Sequence, residues 1–80
     1  MNLVEYSEFL VKELVNDPEL VKVKMFDSED GIVLEILISE EDLPVVIGKS
    51  GRVANSLKTL IKTKAYIEGQ DNIKINIDSF

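Results

Sequence analysis

The feature that most constrains this chain is an apolar segment, IVLEILIS at residues 32–39, which only Glu35 interrupts. A strand with apolar side chains on both faces is typical of the centre of a sheet that is covered on at least one side. The segment before it, VKVKMF at residues 21–26, alternates in the manner of a half-buried strand. Because Asp30 and Gly31 between the two segments suit a tight turn, a β-hairpin is predicted.

Helical patterns lie on either side of this hairpin. Residues 2–16 carry apolar side chains at helical spacing opposite a polar stripe, and Pro18 is expected to end that helix. A short helix is predicted to begin with Asp42 as its N-terminal cap and to end at Gly48. A longer amphipathic helix follows over residues 51–64.

The last predicted element is a strand, IKINID at residues 73–78, with its three isoleucines on one face. The order is therefore α-β-β-α-α-β in one domain that spans residues 1–80. The connection from the second strand to the third is long enough for a crossover, which makes these strands parallel neighbours. The expected fold is α+β, with three helices on one face of a three-stranded mixed sheet. The uncovered face is expected to present Lys22, Lys24, Phe26, Val33, Glu35, Leu37, Lys74 and Asn76.

Composition argues against several classes of function. The chain has no cysteine and no histidine, which removes thiolate ligands, the commonest metal ligand and the commonest general base. We therefore expect no metal, no cofactor and no enzymatic activity. No apolar run approaches the ~20 residues of a membrane span, and the acidic N-terminus lacks the basic region of a signal peptide. These features lead us to expect a cytoplasmic protein.

Charge is distributed unevenly along the chain. The net charge is −6, yet residues 43–67 hold five of the nine basic residues and no acid, which gives +5 for this window. The other four basic residues stand against all 15 acids, which gives −11 for the remainder. A basic region on an acidic body favours a short anionic ligand over extended duplex DNA. The basic residues of the window are Lys49, Arg52, Lys58, Lys62 and Lys64.

The sequence GKSG at residues 48–51 lies near the start of this window, where one predicted helix ends and the next begins. Its two glycines allow close approach to the main chain, and the second helix offers unpaired N–H groups and a positive dipole end. Lys49, Ser50 and Arg52 add donors at the rim. A similar turn also joins helices that bind nothing, so the glycine pair alone leaves both interpretations open. Apolar residues able to line an adjacent groove for unstacked bases are Val46, Ile47, Val53 and Leu57.

The segment VIGKSGRVANSL closely resembles the VIGxxGxxIxxI core of KH domains, which are nucleic-acid-binding modules. The predicted element order resembles the type II arrangement, and the chain as a whole resembles the small stand-alone bacterial KhpA family of RNA-binding proteins. The resemblance implies that residues 48–51 clamp an RNA backbone, with Arg52 at a position that is commonly basic in the family. It also implies a groove for bases, lined by Ile47, Val53 and Leu57 together with Ile36 and Ile38 of the second strand.

The resemblance also implies protein partners, because KhpA-like proteins are associated with self-association and with a larger KH-containing protein of the Jag or KhpB type. One candidate surface is the apolar part of the uncovered sheet face, formed by Phe26, Val33 and Leu37. The sequence departs from a typical nucleic-acid binder in its acidity and in the lack of an aromatic residue in the groove. Tyr66, the nearest aromatic, is expected to lie after the second helix of the pair.

Other functions fit the residues less well. GKS also ends a Walker A loop, but the glycine that this loop requires five residues before Gly48 is replaced by Leu43. The acids Glu40, Glu41 and Asp42 are better explained as complementing a helix dipole than as a hydrolase site. The expected function is single-stranded RNA binding over about four nucleotides, as an RNA chaperone or post-transcriptional regulator. The alternative is a KH-fold module that acts mainly through a protein partner.

Overall fold

The elements follow the predicted α-β-β-α-α-β order in a computed structural model that describes all 80 residues. The helices and strands are α1 (Leu3–Lys12), β1 (Lys22–Ser28), β2 (Gly31–Ile38), α2 (Leu43–Ile47), α3 (Arg52–Ile67) and β3 (Ile73–Ser79). Short 3-10 turns occupy Pro18–Leu20 and Lys49–Gly51. The sheet has the order β1-β2-β3, in which β2 is antiparallel to β1 and parallel to β3. The fold class and the central position of the apolar strand are therefore confirmed.

The two faces of β2 have different surroundings. Leu34, Ile36 and Ile38 alternate onto one face and have no exposed surface, because the helices pack on that side. Other members of this core come from all three helices, from β3 and from the residue before β1, namely Leu3, Val11, Val21, Val46, Leu57, Ile61, Ala65 and Ile75. The prediction that the three helices cover one face of the sheet is confirmed.

The opposite sheet face is open. The strand register places Phe26 opposite Val33, and Val33 opposite Lys74, so the side chains predicted for this face do share it. Phe26 remains 49% exposed, whereas Val33 and Leu37 are half-buried among their strand neighbours. Asp78, which lies opposite Leu37, belongs to the same face.

Helix α1 ends at Lys12, earlier than the predicted end at Asn16. The cause lies in a contact with a distant side chain. The backbone N–H groups of Asn16 and Asp17 donate to the two carboxylate oxygens of Asp42, at 3.0 and 3.1 Å. An N–H group that donates to Asp42 does not donate to the carbonyl four residues earlier in the helix. The helix therefore ends before the position at which Pro18 would end it.

Asp42 occupies the N-cap position of α2, as predicted, but its side chain makes no capping hydrogen bond to that helix. The residue is 1% exposed, and the Ser39 hydroxyl donates to its Oδ2 at 2.8 Å. The hydrogen bond from the Asn16 N–H lowers the pKa of Asp42. Burial opposes this effect, while the hydrogen bonds from Ser39 and Asp17 add to it. A buried carboxylate thus joins the segment after α1 to the start of α2.

Helix α3 continues to Ile67, three residues beyond its predicted end. The backbone N–H groups of Gly69 and Gln70 bond to carbonyls of the last turn, and Gly69 has a φ of +86°. This is the Schellman arrangement, in which a glycine takes the left-handed conformation after a helix. The expectation that Tyr66 follows the helix is therefore wrong, since the residue lies on it. Neither α3 nor any other helix is long and apolar enough to cross a bilayer.

Candidate nucleic-acid interface

Residues 48–51 form a tight corner between α2 and α3, and the backbone conformation of this corner requires glycine at position 48. At Gly48, the φ of +76° and ψ of 178° form a conformation that is essentially restricted to glycine. A Cβ atom at this position would lie 2.5 Å from Cγ2 and 2.9 Å from Cβ of Val53, so the available space also excludes a side chain. The loop backbone therefore packs directly on the first turn of α3.

Ser50 and Gly51 follow in left-handed conformations, with φ of +55° and +75°. A Cβ on Gly51 would meet only the Asn55 side-chain amide, at 3.7 Å, so conformation alone favours glycine there. Ser50 is the only non-glycine residue of the chain with a positive φ, a conformation that costs an L-residue on the order of 1 kcal/mol. Backbone strain is thus located at the exposed tip of the corner.

Helix α3 begins at Arg52 without a capping side chain. Gly51 occupies the N-cap position, and the first turn of this 16-residue helix contains no acid. The N–H of Arg52 donates to the carbonyl of Lys49, and the helix presents the positive end of its dipole at the corner. Lys49, Ser50 and Arg52 are all exposed around this point. The arrangement suits an anionic group that approaches the main chain.

Ion pairs divide the five basic residues of the window into two groups. The structure contains two ion pairs, Glu8 with Lys12 and Lys64 with Glu68. Lys64 Nζ lies 3.0 Å from the Glu68 carboxylate and 5.3 Å from the centroid of the Tyr6 ring, so this cation takes part in packing α3 on α1. The four basic residues of the window without an acidic partner are Lys49, Arg52, Lys58 and Lys62.

The residues predicted to line a base groove do not all reach the surface. Ile47 is 38% exposed and Val53 is half-buried, so both present apolar surface beside the loop. Leu57 is only 4% exposed. The predicted groove residues with no exposed surface at all are Val46, Ile36 and Ile38. Strand alternation turns the two isoleucines of β2 towards the helices, which places them in the core.

A shallow apolar groove of about 400 Å³ between α1 and α3 is a feature that the sequence reasoning missed. It begins at the corner, because Arg52 and Val53 line it, and Leu57 also contributes to its wall. Leu14 and Leu60, which also line it, are 43% and 47% exposed. Both leucines belong to apolar stripes in the sequence, and that pattern does not distinguish a buried position from the edge of a groove.

Comparison with protein families matches residues 5–78 to the model described as "KhpA/KhpB, KH domain". Among curated proteins, the RNA-binding protein KhpA of Clostridium perfringens is 41% identical over 66 residues, which cover 82% of this chain and 88% of that protein. KhpA of Thermotoga maritima is 46% identical over 57 residues, covering 71% of this chain and 76% of that protein. KhpA of Chlamydia trachomatis is 31% identical over 74 residues, with 92% and 91% covered. The similarity thus extends well beyond the GKSG segment.

Among solved structures, the chain is similar to Era in complex with MgGDPNP and a segment of 16S ribosomal RNA, with a TM-score of 0.68 and 19% identity. It is also similar to Aquifex aeolicus Era bound to GDP and AlF4⁻, with a TM-score of 0.61 and 21% identity. These matches cover 98% of this chain but only 30% and 29% of the Era chains. At these identities the likeness shows a shared fold.

Proposed function

Since this chain belongs to the KhpA/KhpB family of KH domains, we propose that it binds single-stranded RNA through the loop at residues 48–51. The loop clamps the backbone of about four nucleotides. The observation that supports this most directly is the packing of Gly48 on Val53, which leaves bare backbone at the uncapped start of α3. An RNA phosphate can then approach the backbone N–H groups and the helix dipole closely.

The exposed side chains around the loop have distinct roles in this proposal. Lys49, Ser50 and Arg52 donate to phosphate oxygens at the loop, and Lys58 and Lys62 continue the contact along α3. None of the four basic residues has to leave an acidic partner in order to do so. Contacts of this kind position the strand without reading its sequence, so base preference should be weak.

Bases lie against the apolar surface that Ile47 and Val53 present beside the loop. Val53 packs against the core that contains the buried residues of the predicted groove, Val46, Leu57, Ile36 and Ile38. Because the chain has no histidine or cysteine, we infer a site that binds RNA without chemical change. The role that follows is that of an RNA chaperone or post-transcriptional regulator.

The double substitution Lys49→Asp/Ser50→Asp tests the loop. Both side chains are exposed, and Asp tolerates the left-handed conformation of Ser50, so the thermal melt should be preserved. Binding to short single-stranded RNA should be lost, because the new carboxylates repel phosphate. The matched control Asn2→Asp/Lys74→Asp changes the net charge equally outside the corner and should bind RNA nearly as the wild type does. If the loop variant binds as well as its control, the corner is only a structural turn.

A protein partner is a second function that one observation favours. Phe26 is 49% exposed on the open sheet face directly opposite Val33, and these two side chains form an apolar pair that a partner can cover. We infer that a second copy of the chain or a larger KH-containing protein of the KhpB type packs on this face. Phe26→Lys should then abolish self-association or capture of that protein, as measured by light scattering, while RNA binding by the loop is retained. An unchanged assembly state in the variant would exclude this surface.

A further inference from the structure

The side chain of Tyr66 has no role in the fold. It is 70% exposed, and its hydroxyl makes no hydrogen bond. The other tyrosine, Tyr6, is half-buried and receives Lys64 over its ring at 5.3 Å. At the end of α3 only the backbone carbonyl of Tyr66 is used, as the acceptor for the Gly69 N–H. Any residue would supply that carbonyl, so helix termination does not explain an aromatic side chain here.

The position of Tyr66 connects it to the basic surface of α3. Lys58, Lys62 and Tyr66 are spaced four residues apart, so they form one ridge on the helix. With a rise of about 1.5 Å per residue, Tyr66 lies roughly 21 Å along the helix from Arg52 at the corner. The ridge begins at Lys58, about 9 Å along the helix from Arg52, and leads past Lys62 to an exposed ring.

The charge of this ridge is not neutralised. Lys58 and Lys62 have no acidic partner, and the nearby acid Glu68 is engaged by Lys64 at 3.0 Å. A row of free cations that ends at an exposed aromatic ring combines the two features that bind single strands without sequence preference. The cations attract successive phosphates, and the ring offers a π-face to any base.

We propose that Tyr66 is a base-stacking platform for RNA that leaves the loop and runs along Lys58 and Lys62. This inference rests on the proposed function, because it needs a strand held at the corner. It extends the binding site beyond the roughly four nucleotides of the loop to the far end of α3. It also gives the site an aromatic contact that the groove beside the loop lacks.

The test compares Tyr66→Ala and Tyr66→Phe on two lengths of oligouridylate. Loss of stacking should weaken binding of a strand of about eight nucleotides by about 5- to 150-fold in Tyr66→Ala, and Tyr66→Phe should bind like the wild type. A strand of about four nucleotides fills the loop alone, so its affinity should be the same in all three proteins. Because Tyr66 is exposed and alanine is a strong helix former, Tyr66→Ala should melt at nearly the wild-type temperature. A loss of affinity would then not be due to unfolding.

Tyrosine fluorescence provides a second readout, because the chain has no tryptophan and only two tyrosines. Stacking on a base should quench the emission of Tyr66 when the longer strand binds. The quench should persist in Tyr6→Phe and vanish in Tyr66→Phe.

The outcomes separate the two proposals. If Tyr66→Ala binds both strands like the wild type, the loop site stands and the platform does not. If the wild type binds neither strand, the proposed RNA-binding function and the platform both fail. Equal weakening of both strands in Tyr66→Ala would also overturn the platform, since the ring would then act on the loop itself.

Discussion

The two flanks of helix α3 have opposite characters, although only one buried stripe separates them. On the side that faces α1, Val53 and Leu60 line an apolar groove. On the other side, Lys58 and Lys62 carry charges without acidic partners. The stripe between the flanks is formed by Ala54, Leu57, Ile61 and Ala65. One helix serves as core, apolar wall and cationic surface because residues three or four apart share a face.

Lysines on the two flanks also differ in their partners. Lys64 lies on the α1 side, where Glu68 pairs with it and the Tyr6 ring lies beneath it. Lys58 and Lys62 have neither kind of contact. A count of basic residues in the sequence thus overstates the charge available to a ligand, because Glu68 on the next turn neutralises Lys64.

The largest expected effect concerns the stripe between the flanks. Ile61 has no exposed surface, so Ile61→Ala should lower the free energy of unfolding by about 2–5 kcal/mol. Lys62→Ala on the neighbouring cationic flank should change it by no more than about 0.5 kcal/mol. Urea denaturation of both variants checks the contrast. Similar effects from the two substitutions would mean that the stripe and the flank are not distinct.

At the corner, a side chain added at Gly48 should destabilise the protein more than one added at Gly51. Gly48→Ala combines a positive φ with a Cβ 2.5 Å from Val53 Cγ2, and should cost on the order of 3 kcal/mol. Gly51→Ala meets no such clash and should cost about 1 kcal/mol. Denaturation curves measure both values. Equal costs would indicate that the contact with Val53 relaxes freely.

RNA binding should depend on the cationic flank of α3 and not on the apolar flank. Lys58→Ala/Lys62→Ala should weaken binding without altering base preference, because phosphate contacts carry no sequence information. For the wild type and a strand of about four nucleotides, in which two or three phosphates are contacted, log affinity should fall with log salt at a slope of roughly −1.5 to −2; on a longer strand, each phosphate contact removed should reduce the slope by about 0.7. Leu60→Ala on the apolar flank is the control and should leave the slope unchanged. A change in base preference in the lysine variant would show that these side chains read bases.

The smallest effect is expected at Asp42, whose carboxylate binds the segment after α1. This segment contains Leu14, which lines the apolar groove. Hydrogen bonding lowers the pKa of Asp42, led by the Asn16 N–H. The stability that it contributes is present above the pKa that it has in the unfolded chain, about 3.9, and is lost as pH falls through the lower folded value. Asp42→Asn should lower the free energy of unfolding at neutral pH. In this variant the free energy of unfolding should also fall less steeply in acid than it does in the wild type. Parallel pH profiles of the two proteins would show that this carboxylate is not responsible.

Local patterns in the sequence determined the central strand and the glycine positions of the corner. The apolar segment at residues 32–39 predicts a central strand because side chains alternate between the two faces of a strand, and a segment that is apolar on both faces suits the middle of a sheet. The corner at Gly48 and Gly51 is equally local, since positive φ values at glycines follow from steric limits within a few residues. The order of the elements and the hairpin of β1 and β2 follow from these short-range rules.

Only the tertiary structure decided the features that depend on distant partners. The end of α1 is set by Asp42, whose carboxylate meets Asn16 and Asp17 across 26 and 25 residues of chain. Packing likewise buries Val46 and sets Lys64 over the ring of Tyr6 on α1, and neither contact is visible from spacing alone. Periodicity assigns a side chain to a face of its own element. What covers that face depends on elements that are remote in the sequence, because burial and charge pairing are properties of the packed molecule.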